Sequence, residues 1–381
     1  MIYLDNAATS YPKPAQVVAA VARAMRFFGA NPGRSAHPMA EKASERIFEC
    51  RRALAEFFSA PDPARVIFTL NCTGALNTVI KGILKPGDHA VVSSIEHNAV
   101  MRPLEALRAK GVVYSAAQVD PLDHDRTVDA FRQAIRENTK LVIVSHASNV
   151  WGIRLPVERI AALCRFYGIP ILVDAAQSAG YLPIDMARDG IDYLAVPGHK
   201  GLLGPMGTGV LIAANGQRLE TILEGGTGTD SKSFLQPETL PERFESGTVN
   251  VPGICGLLEG VRFVSAYKSE RIERHGIRFL QKLYEELCDR KDILLYTQKP
   301  QENGFVPVLS FNIRGLESER AAALFAREDI ALRVGLHCAP AAHALFSTDT
   351  DGTIRVSPGI RSGEADLRRF LQTLSKVVKN R

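Results

Sequence analysis

Short apolar runs rich in β-branched side chains alternate with amphipathic stretches from about residue 65 to residue 213. Buried strands connected by crossover helices produce this alternation, so the pattern predicts an α/β fold with a mainly parallel sheet. Helical spacing over 156–167, followed by Gly168, predicts a helix with its stop signal. The predicted strands are 65–70, 90–93, 141–145, 170–174, 193–196 and 209–213.

After Gly247 the pattern changes to long, charged amphipathic helices at about 255–290, and this change predicts a smaller α+β domain. The turn-rich residues 246–253 are the candidate hinge. We therefore expect a large domain of residues 15–250 and a small domain that combines 1–14 with 251–381. The other predicted elements of the small domain are 306–313, 317–327, 330–334 and a last helix near 363–378.

The length of 381 residues supports two domains, since single hydrophobic cores stop growing near ~250–300 residues. The 46 Lys+Arg and 41 Asp+Glu leave a net charge of only +5, spread along the chain, so nucleic acid is not an expected partner. No apolar run approaches the ~20 residues of a membrane span, and residues 1–5 lack signal-peptide character. We therefore expect a cytoplasmic protein that has no membrane partner. The six cysteines form no C-x-x-C pair, so neither a metal site nor a disulfide framework is expected.

The most informative segment is 197–205, in which Lys200 lies just past an apolar strand and is followed by glycines. Glycines let other groups approach closely, so such a lysine can hold an aldehyde cofactor. An isolated lysine is more often a solvated residue in a surface turn. Lys200 alone therefore does not identify a function.

Other polar residues also follow predicted strands, where ligands of open α/β sheets bind. Asp174 ends a buried strand and can pair with a protonated pyridine nitrogen, while Gln177 can reach a phenolic oxygen. The alternative for Asp174 is a cap on a following helix. His97 can stack on a planar ring, or be a capped and solvated histidine. Asn149 can bind a substrate carboxylate or a ring oxygen, or be a turn asparagine.

The segment 68–77 turns from a strand directly into a helix through small and polar residues. Backbone N–H groups and a hydroxyl at a helix N-terminus make a plausible phosphate site, although many such turns bind nothing. A lysine, an acid, a histidine, an asparagine and a phosphate turn thus all follow successive strands. Their conjunction predicts a cofactor site more strongly than any one of them.

The motifs 3–9, Glu96-His97, 174–180 and Gly198-His199-Lys200 together resemble enzymes of the class V aminotransferase fold over essentially the whole chain. The segment 333–339, followed by Arg355, resembles cysteine desulfurases and selenocysteine lyases, in particular the group with a compact cysteine loop. The resemblance implies the fold type I of pyridoxal-phosphate-dependent transferases, with pyridoxal 5'-phosphate as the cofactor.

The resemblance also implies roles. Lys200 would carry the cofactor and move protons, His97 would stack on its ring and act in catalysis, and Arg355 would hold the substrate carboxylate. The implied cofactor-binding residues are Thr73, Gly74, His97, Asn149, Asp174, Gln177, His199, Lys200 and Thr248. Thr248 would reach the phosphate of a second subunit, which implies a homodimer. The implied substrate-binding residues are Asn149, Arg355 and His37.

Cys338 occupies the position of the sulfur-accepting nucleophile in these relatives, and His337 and Arg333 nearby can favour its thiolate. The expected reaction converts cysteine to alanine and leaves a persulfide on Cys338, from which an acceptor protein or small thiol collects the sulfur. Cys72 is the competing candidate thiol, because it lies at a predicted helix N-terminus.

Two departures from the relatives bear on this reading. Pro197 replaces a serine or threonine whose hydroxyl helps to bind phosphate, and 357–364 lacks an aromatic-Asn-Thr run. The alternatives are a selenocysteine lyase, a cysteine sulfinate desulfinase or a kynureninase-like enzyme on the same fold. A non-catalytic scaffold for sulfur transfer is a rival from a different class. A nicotinamide enzyme is disfavoured, because 226–231 has no third glycine and opens no βαβ unit.

Overall fold

A computed structural model describes residues 1–33, 37–214 and 219–379, which form a large sheet, a small sheet and one short pair of strands. In these residues the strands are β1 (Ile2–Tyr3), β2 (Val66–Thr69), β3 (His89–Ser93), β4 (Val113–Ala117), β5 (Thr139–Ser145), β6 (Ile171–Asp174), β7 (Tyr193–Pro197), β8 (Gly209–Ala213), β9 (Ile293–Leu295), β10 (Leu309–Ile313), β11 (Ile330–Ala331), β12 (Arg333–Gly335) and β13 (Thr353–Val356).

The helices of the same residues cover both sheets. They are α1 (Ala15–Phe27), α2 (Pro38–Phe58), α3 (Cys72–Ile83), α4 (Asn98–Arg108), α5 (His124–Ala134), α6 (Val157–Tyr167), α7 (Met186–Asp189), α8 (Val251–Tyr267), α9 (Ser269–Cys288), α10 (Ser318–Arg327), α11 (Pro340–Ala344) and α12 (Glu364–Lys379). Short 3-10 turns lie at Pro63–Arg65 and Glu242–Phe244.

The large sheet has seven strands in the order β2-β8-β7-β6-β5-β3-β4. Strand β8 runs antiparallel to both of its neighbours, and the pairs from β7 to β4 are parallel. The prediction of an α/β fold with a mainly parallel sheet is therefore confirmed. All six predicted strands are present within two residues of their predicted ends, and α6 ends at Gly168, whose φ is +67°.

The sequence pattern does not predict β4, because this strand lies at the edge of the large sheet. Val113, its first residue, is 45% exposed, and the strand therefore lacks the continuous apolar run by which the buried strands were recognised. The small sheet, in the order β12-β13-β10-β9, is antiparallel. The predicted segment 330–334 is divided between it and β11, which pairs with β1.

The last three residues of the candidate hinge at 246–253 belong to a helix. Helix α8 begins at Val251, with Pro252 in its first turn, where a missing N–H costs nothing. The Asn250 side chain caps the helix by accepting the N–H of Gly253. Helix α8 follows residue 250 but packs in the same apolar core as α2, while the small sheet has a core of its own. The domain boundary near residue 250 therefore stays a prediction.

Within the described parts of the chain, no helix combines the length and the apolar character that a membrane crossing requires.

Candidate functional site

A cavity of about 120 Å³ lies at the carboxyl ends of β5, β6 and β7. Parallel strands place their following turns at one edge of the sheet, which brings together side chains that are far apart in sequence. The predicted site residues that line this cavity are Thr73, His97, Asn149, Asp174, Gln177, His199 and Lys200.

Lys200 follows β7 in a turn whose close backbone contacts require glycine at position 201. A Cβ atom at Gly201 would collide with the carbonyl oxygen of Ala179, so this glycine permits the close backbone approach. Burial lowers the pKa of Lys200, and the charge of Arg355 lowers it further, whereas Asp174 opposes the shift. The lowered pKa enlarges the neutral, nucleophilic fraction of the amine.

Asp174 ends β6 and is buried beside Lys200. Its Oδ1 accepts the Ala176 N–H at 2.8 Å, and the Cys72 Sγ lies 3.7 Å from the same oxygen. Burial raises the pKa of this carboxyl. Asp174 caps no helix, because the next helix begins only at Met186. Both contacts use Oδ1, so Oδ2 is available to a ligand.

The N-terminal segment contacts two residues that line the cavity, and no sequence pattern predicts these contacts. Gln177 Nε2 donates to the Ala7 carbonyl at 3.0 Å, and His199 Nδ1 lies 3.1 Å from Thr9 Oγ1. Lys13 Nζ donates to the His199 carbonyl at 2.7 Å. Burial lowers the pKa of His199 to about 4, assisted by Lys200 and Lys13, so the imidazole is a neutral hydrogen-bonding group near pH 7.

His97 is the N-cap residue of α4, and its Nδ1 accepts the Ala99 N–H at 3.0 Å. It is therefore a cap, but a partly buried one that also lines the cavity. Burial, followed by the charge of Lys200, lowers its pKa to about 4. The ring is neutral near pH 7.

Glu96, the residue before His97, is a fully buried acid for which the sequence predicts no role. Its carboxylate accepts the Ser93 hydroxyl at 2.5 Å and the Ser145 N–H and hydroxyl at 2.7 Å each. Burial raises its pKa to about 7, against the opposing effect of these hydrogen bonds. Glu96 thus joins the ends of β3 and β5, from which the turns of His97 and Asn149 leave.

Five predicted residues lie outside the lining of the Lys200 cavity, namely Gly74, Thr248, His37, Arg355 and Cys338. Gly74 and Thr248 line a neighbouring cavity of about 400 Å³. The Gly74 N–H already donates to Asn71 Oδ1 at 2.9 Å, an N-cap that the Asn71–Gly74 spacing could have indicated. His37 is exposed, and its Nδ1 accepts the Ala40 N–H at the start of α2.

Arg355 on β13 is 1% exposed and connects several parts of the site. Its Nη2 pairs with Asp5 Oδ1 at 2.8 Å, and its Nη1 donates to the Asn149 carbonyl at 2.9 Å. Its buried Nε has no partner among the described residues. Arg333 lies directly opposite Arg355 in the β12–β13 register. Two guanidinium groups on facing strand positions repel each other, and an anion between them relieves that repulsion.

Cys338 is exposed, and the Arg333 guanidinium Nη2 lies 3.3 Å from its Sγ. The prediction that Arg333 lies beside this thiol is confirmed. His337 does not supply a second charge, because burial, assisted by Arg355, lowers its pKa to about 2. Cys72 is a poor competitor, since burial raises its pKa well above the usual thiol range.

Comparison with known proteins gives a consistent result. The family model described as aminotransferase class V matches residues 2–370. A probable cysteine desulfurase of Methanothermobacter thermautotrophicus is 34% identical over 386 residues, which cover 99% of this chain and 94% of that relative.

Solved structures resemble the whole chain. The apo structure of a cysteine desulfurase from Thermococcus onnurineus has a TM-score of 0.91 at 30% identity and covers 100% of this chain and 95% of its own. The cysteine desulfurase CsdA of Escherichia coli has a TM-score of 0.87 at 26% identity, with 99% and 94% covered. Family match, sequence identity and architecture agree, and the chain belongs to the class V aminotransferase family.

Proposed function

We propose that this chain is a pyridoxal-phosphate-dependent cysteine desulfurase, which converts L-cysteine to L-alanine and passes the sulfur to Cys338. The observation that carries the proposal is the placement of Lys200 and Asp174 in one buried cavity, next to the Arg355 guanidinium. Cys338, in contact with Arg333, adds the thiol that distinguishes a desulfurase from other enzymes of this fold.

The residues of the cavity fit pyridoxal 5'-phosphate. Lys200 offers a half-buried amine with a lowered pKa for its aldehyde, Asp174 Oδ2 is available to its ring nitrogen, and His97 offers a neutral ring for stacking. When bound, this cofactor supplies an electron sink that makes the substrate Cα–H acidic. The remaining polar groups of the cavity would contact its ring oxygen and its phosphate, and these groups are Thr73, Asn149, Gln177 and His199.

Lys200 Nζ is the proposed base. Its lowered pKa lets the amine be neutral at a lower pH than a solvated lysine, so it can take the Cα proton and later return a proton to the product carbon. Arg355 is the proposed carboxylate ligand. Its unpartnered Nε is buried, and a substrate carboxylate would satisfy it.

Cys338 is the proposed sulfur acceptor. Its thiolate attacks the substrate sulfur, an S–S bond forms as the Cβ–S bond breaks, and the bonding electron pair stays with the three-carbon product, which is protonated to alanine. The Arg333 guanidinium, 3.3 Å from Sγ, places a positive charge and a hydrogen-bond donor beside the attacking sulfur. The exposure of Cys338 supports delivery of the persulfide sulfur to an acceptor protein that comes to the site.

The functional unit that we propose is a homodimer, in which Thr248 contacts the cofactor phosphate of the other subunit. Thr248 is exposed in the single chain, and it shares a cavity with Gly74 at the N-terminal end of α3. The first turn of a helix favours an anion, which supports a phosphate close to this place. The sedimentation of purified protein tests the dimer.

The test of function begins with the absorbance spectrum of purified protein supplied with pyridoxal 5'-phosphate, before and after borohydride. Cysteine is then added together with a reducing thiol such as dithiothreitol, which supplies the two electrons that release the persulfide sulfur as sulfide, and alanine and sulfide are measured. We expect a borohydride-sensitive band near ~420 nm that is fixed on Lys200, and production of alanine together with sulfide. A band without products from cysteine, but with products from selenocysteine or cysteine sulfinate, would replace the proposed substrate.

Two cysteine variants sharpen this test, because Cys338 and Cys288 are both exposed whereas the other four cysteines are buried. Cys338→Ala should lose sulfide release from cysteine and keep the cofactor band. Cys288→Ala, on α9, should behave as the parent does. Equal sulfide release by the parent and by Cys338→Ala would refute the assigned nucleophile.

A further inference from the structure

The segment 336–339, which carries Cys338, has an unusual backbone. His337 and Cys338 are consecutive residues with φ values of +50° and +57°. L side chains avoid this left-handed region because the Cβ atom crowds the backbone, and two such residues in succession are uncommon. Contacts elsewhere must therefore hold the segment in place.

The main chain of this segment is held from two sides. The Asn98 N–H donates to the Cys338 carbonyl at 2.8 Å, and Asn149 Nδ2 donates to the His337 carbonyl at 2.7 Å. Both donors lie beside the Lys200 cavity. These bonds hold the carbonyl groups of His337 and Cys338. A further contact is needed to hold the segment against the small sheet, where it follows β12.

The His337 side chain supplies that contact. Its ring is 3% exposed, and Nε2 lies 3.1 Å from the Thr353 carbonyl and 3.0 Å from Thr353 Oγ1. The ring also stacks on His343, with centroids 5.7 Å apart. A carbonyl only accepts, so Nε2 carries a proton, and the low pKa that burial gives His337 leaves Nδ1 unprotonated and the ring neutral. The buried ring is neutral and faces Thr353. His337 therefore neither exchanges a proton with Cys338 nor places a positive charge beside its thiol.

We propose that His337 is a positioning residue for sulfur transfer, whose ring ties the Cys338 segment to Thr353 and thereby fixes Cys338 relative to Arg355. Thr353 and Arg355 are two residues apart on β13, so their side chains lie on one face of that strand. The ring is thus anchored to the strand that binds the substrate carboxylate. This inference rests on the proposed function of Cys338 and Arg355.

The main test replaces His337 in a Cys288→Ser background, which leaves Cys338 as the exposed cysteine. His337→Asn suits the test because asparagine tolerates a left-handed backbone but is too short to reach Thr353. We expect kcat for alanine formation to fall about ten-fold or more, since small displacements of a reacting atom are costly. KM for cysteine and the cofactor band should stay within about two-fold of the parent values, because Arg355 and Lys200 are untouched.

A second variant and a control grade the effect. Thr353→Val removes Oγ1 but leaves the carbonyl acceptor, so kcat should fall only about two- to three-fold. His275→Asn is the control, because the exposed His275 on α9 also bonds a carbonyl, that of Ser362, at 2.8 Å. Its kcat should equal that of the parent.

The rate of Cys338 alkylation by iodoacetamide separates this inference from the proposed function, since it requires no turnover. We expect the rate in His337→Asn to change about three-fold or more, because the released segment moves the Cys338 Sγ away from its place beside the Arg333 guanidinium. Unchanged alkylation and unchanged kcat in His337→Asn would overturn the positioning role. If that variant does not fold, Thr353→Val decides by the same two rates. A parent that alkylates normally but releases no sulfide would refute the proposed function alone.

Discussion

Lys200 and Cys338 lie in opposite surroundings. Lys200 is placed by a buried parallel sheet and is enclosed by neutral histidines and a buried acid. Cys338 is exposed, on an irregular segment next to a small antiparallel sheet, and its neighbour Arg333 is charged. Proton transfer at carbon benefits from the exclusion of water, whereas sulfur that leaves the protein needs an open exit. The molecule separates these two requirements.

The two regions are also stabilised in different ways. The Lys200 region buries titratable groups and matches them with hydrogen bonds, as Glu96 does with Ser93 and Ser145. The Cys338 segment keeps its thiol accessible and accepts left-handed backbone at two residues. We therefore expect substitutions around Lys200 to change cofactor chemistry or pH-dependent stability. Substitutions around Cys338 should change sulfur transfer alone.

The largest effect is expected from Lys200→Ala. This variant removes the amine that would carry the cofactor and move protons, so alanine formation should fall by at least about 1,000-fold. The borohydride-fixed band should vanish, although free pyridoxal 5'-phosphate can still bind by its phosphate. Reduction, digestion and mass spectrometry of the parent would locate the modified lysine. Modification at another lysine would contradict the assignment.

The next effect concerns Glu96→Gln and the stability of the buried region. Burial raises the pKa of Glu96 from 4.5 to about 7. Between these values the unfolded chain releases its proton while the folded chain keeps it. The free energy of unfolding therefore falls as pH rises through this window, by about 3 kcal/mol. Glu96→Gln should lack this contribution.

Urea unfolding at pH 5 and at pH 8 measures the Glu96 effect as the difference between parent and variant. The parent should lose more stability than Glu96→Gln between the two conditions. The same pH dependence in both proteins would mean that Glu96 is ionised throughout, held so by its three hydrogen bonds.

Arg333→Gln should have a smaller effect, confined to the exposed region. The variant removes the charge beside the Cys338 Sγ, so sulfide release should slow about ten-fold, which corresponds to ~1.4 kcal/mol. The cofactor band should be unchanged. Loss of that band in Arg333→Gln would show that the two regions are less separate than their surroundings indicate.

Cys72→Ala should give the smallest effect. The thiol is a weak donor at 3.7 Å from Asp174 Oδ1, so its loss should alter alanine formation by no more than about two-fold. Persulfide should be absent from Cys72 in the parent by mass spectrometry after incubation with cysteine. Sulfur found on Cys72 would reverse the ranking of the two thiols.

The buried region was largely predictable from sequence, whereas contacts across the chain were not. The strand that ends in Asp174 and the strand that precedes Lys200 are continuous apolar runs, and the ends of such strands meet at one edge. Gln177 and Ala7 are 170 residues apart, and the bond between them depends on how the N-terminal segment folds back. Spacing along the chain carries no signal for such a contact. The left-handed backbone at Cys338 was equally hidden, because its sequence contains no glycine at that position.

The pairing of β1 with β11 has a consequence for biosynthesis. Ile2 is made 328 positions before its partner Ile330. At ~5–20 residues per second, translation leaves the N-terminal strand without its partner for tens of seconds. The contacts of Ala7 with Gln177 and of Thr9 with His199 belong to the same N-terminal segment. All strands of the large sheet lie between residues 66 and 213, so they are made well before the partner strand that holds this segment. We therefore expect the last contacts of Gln177 and His199 to form after the large sheet.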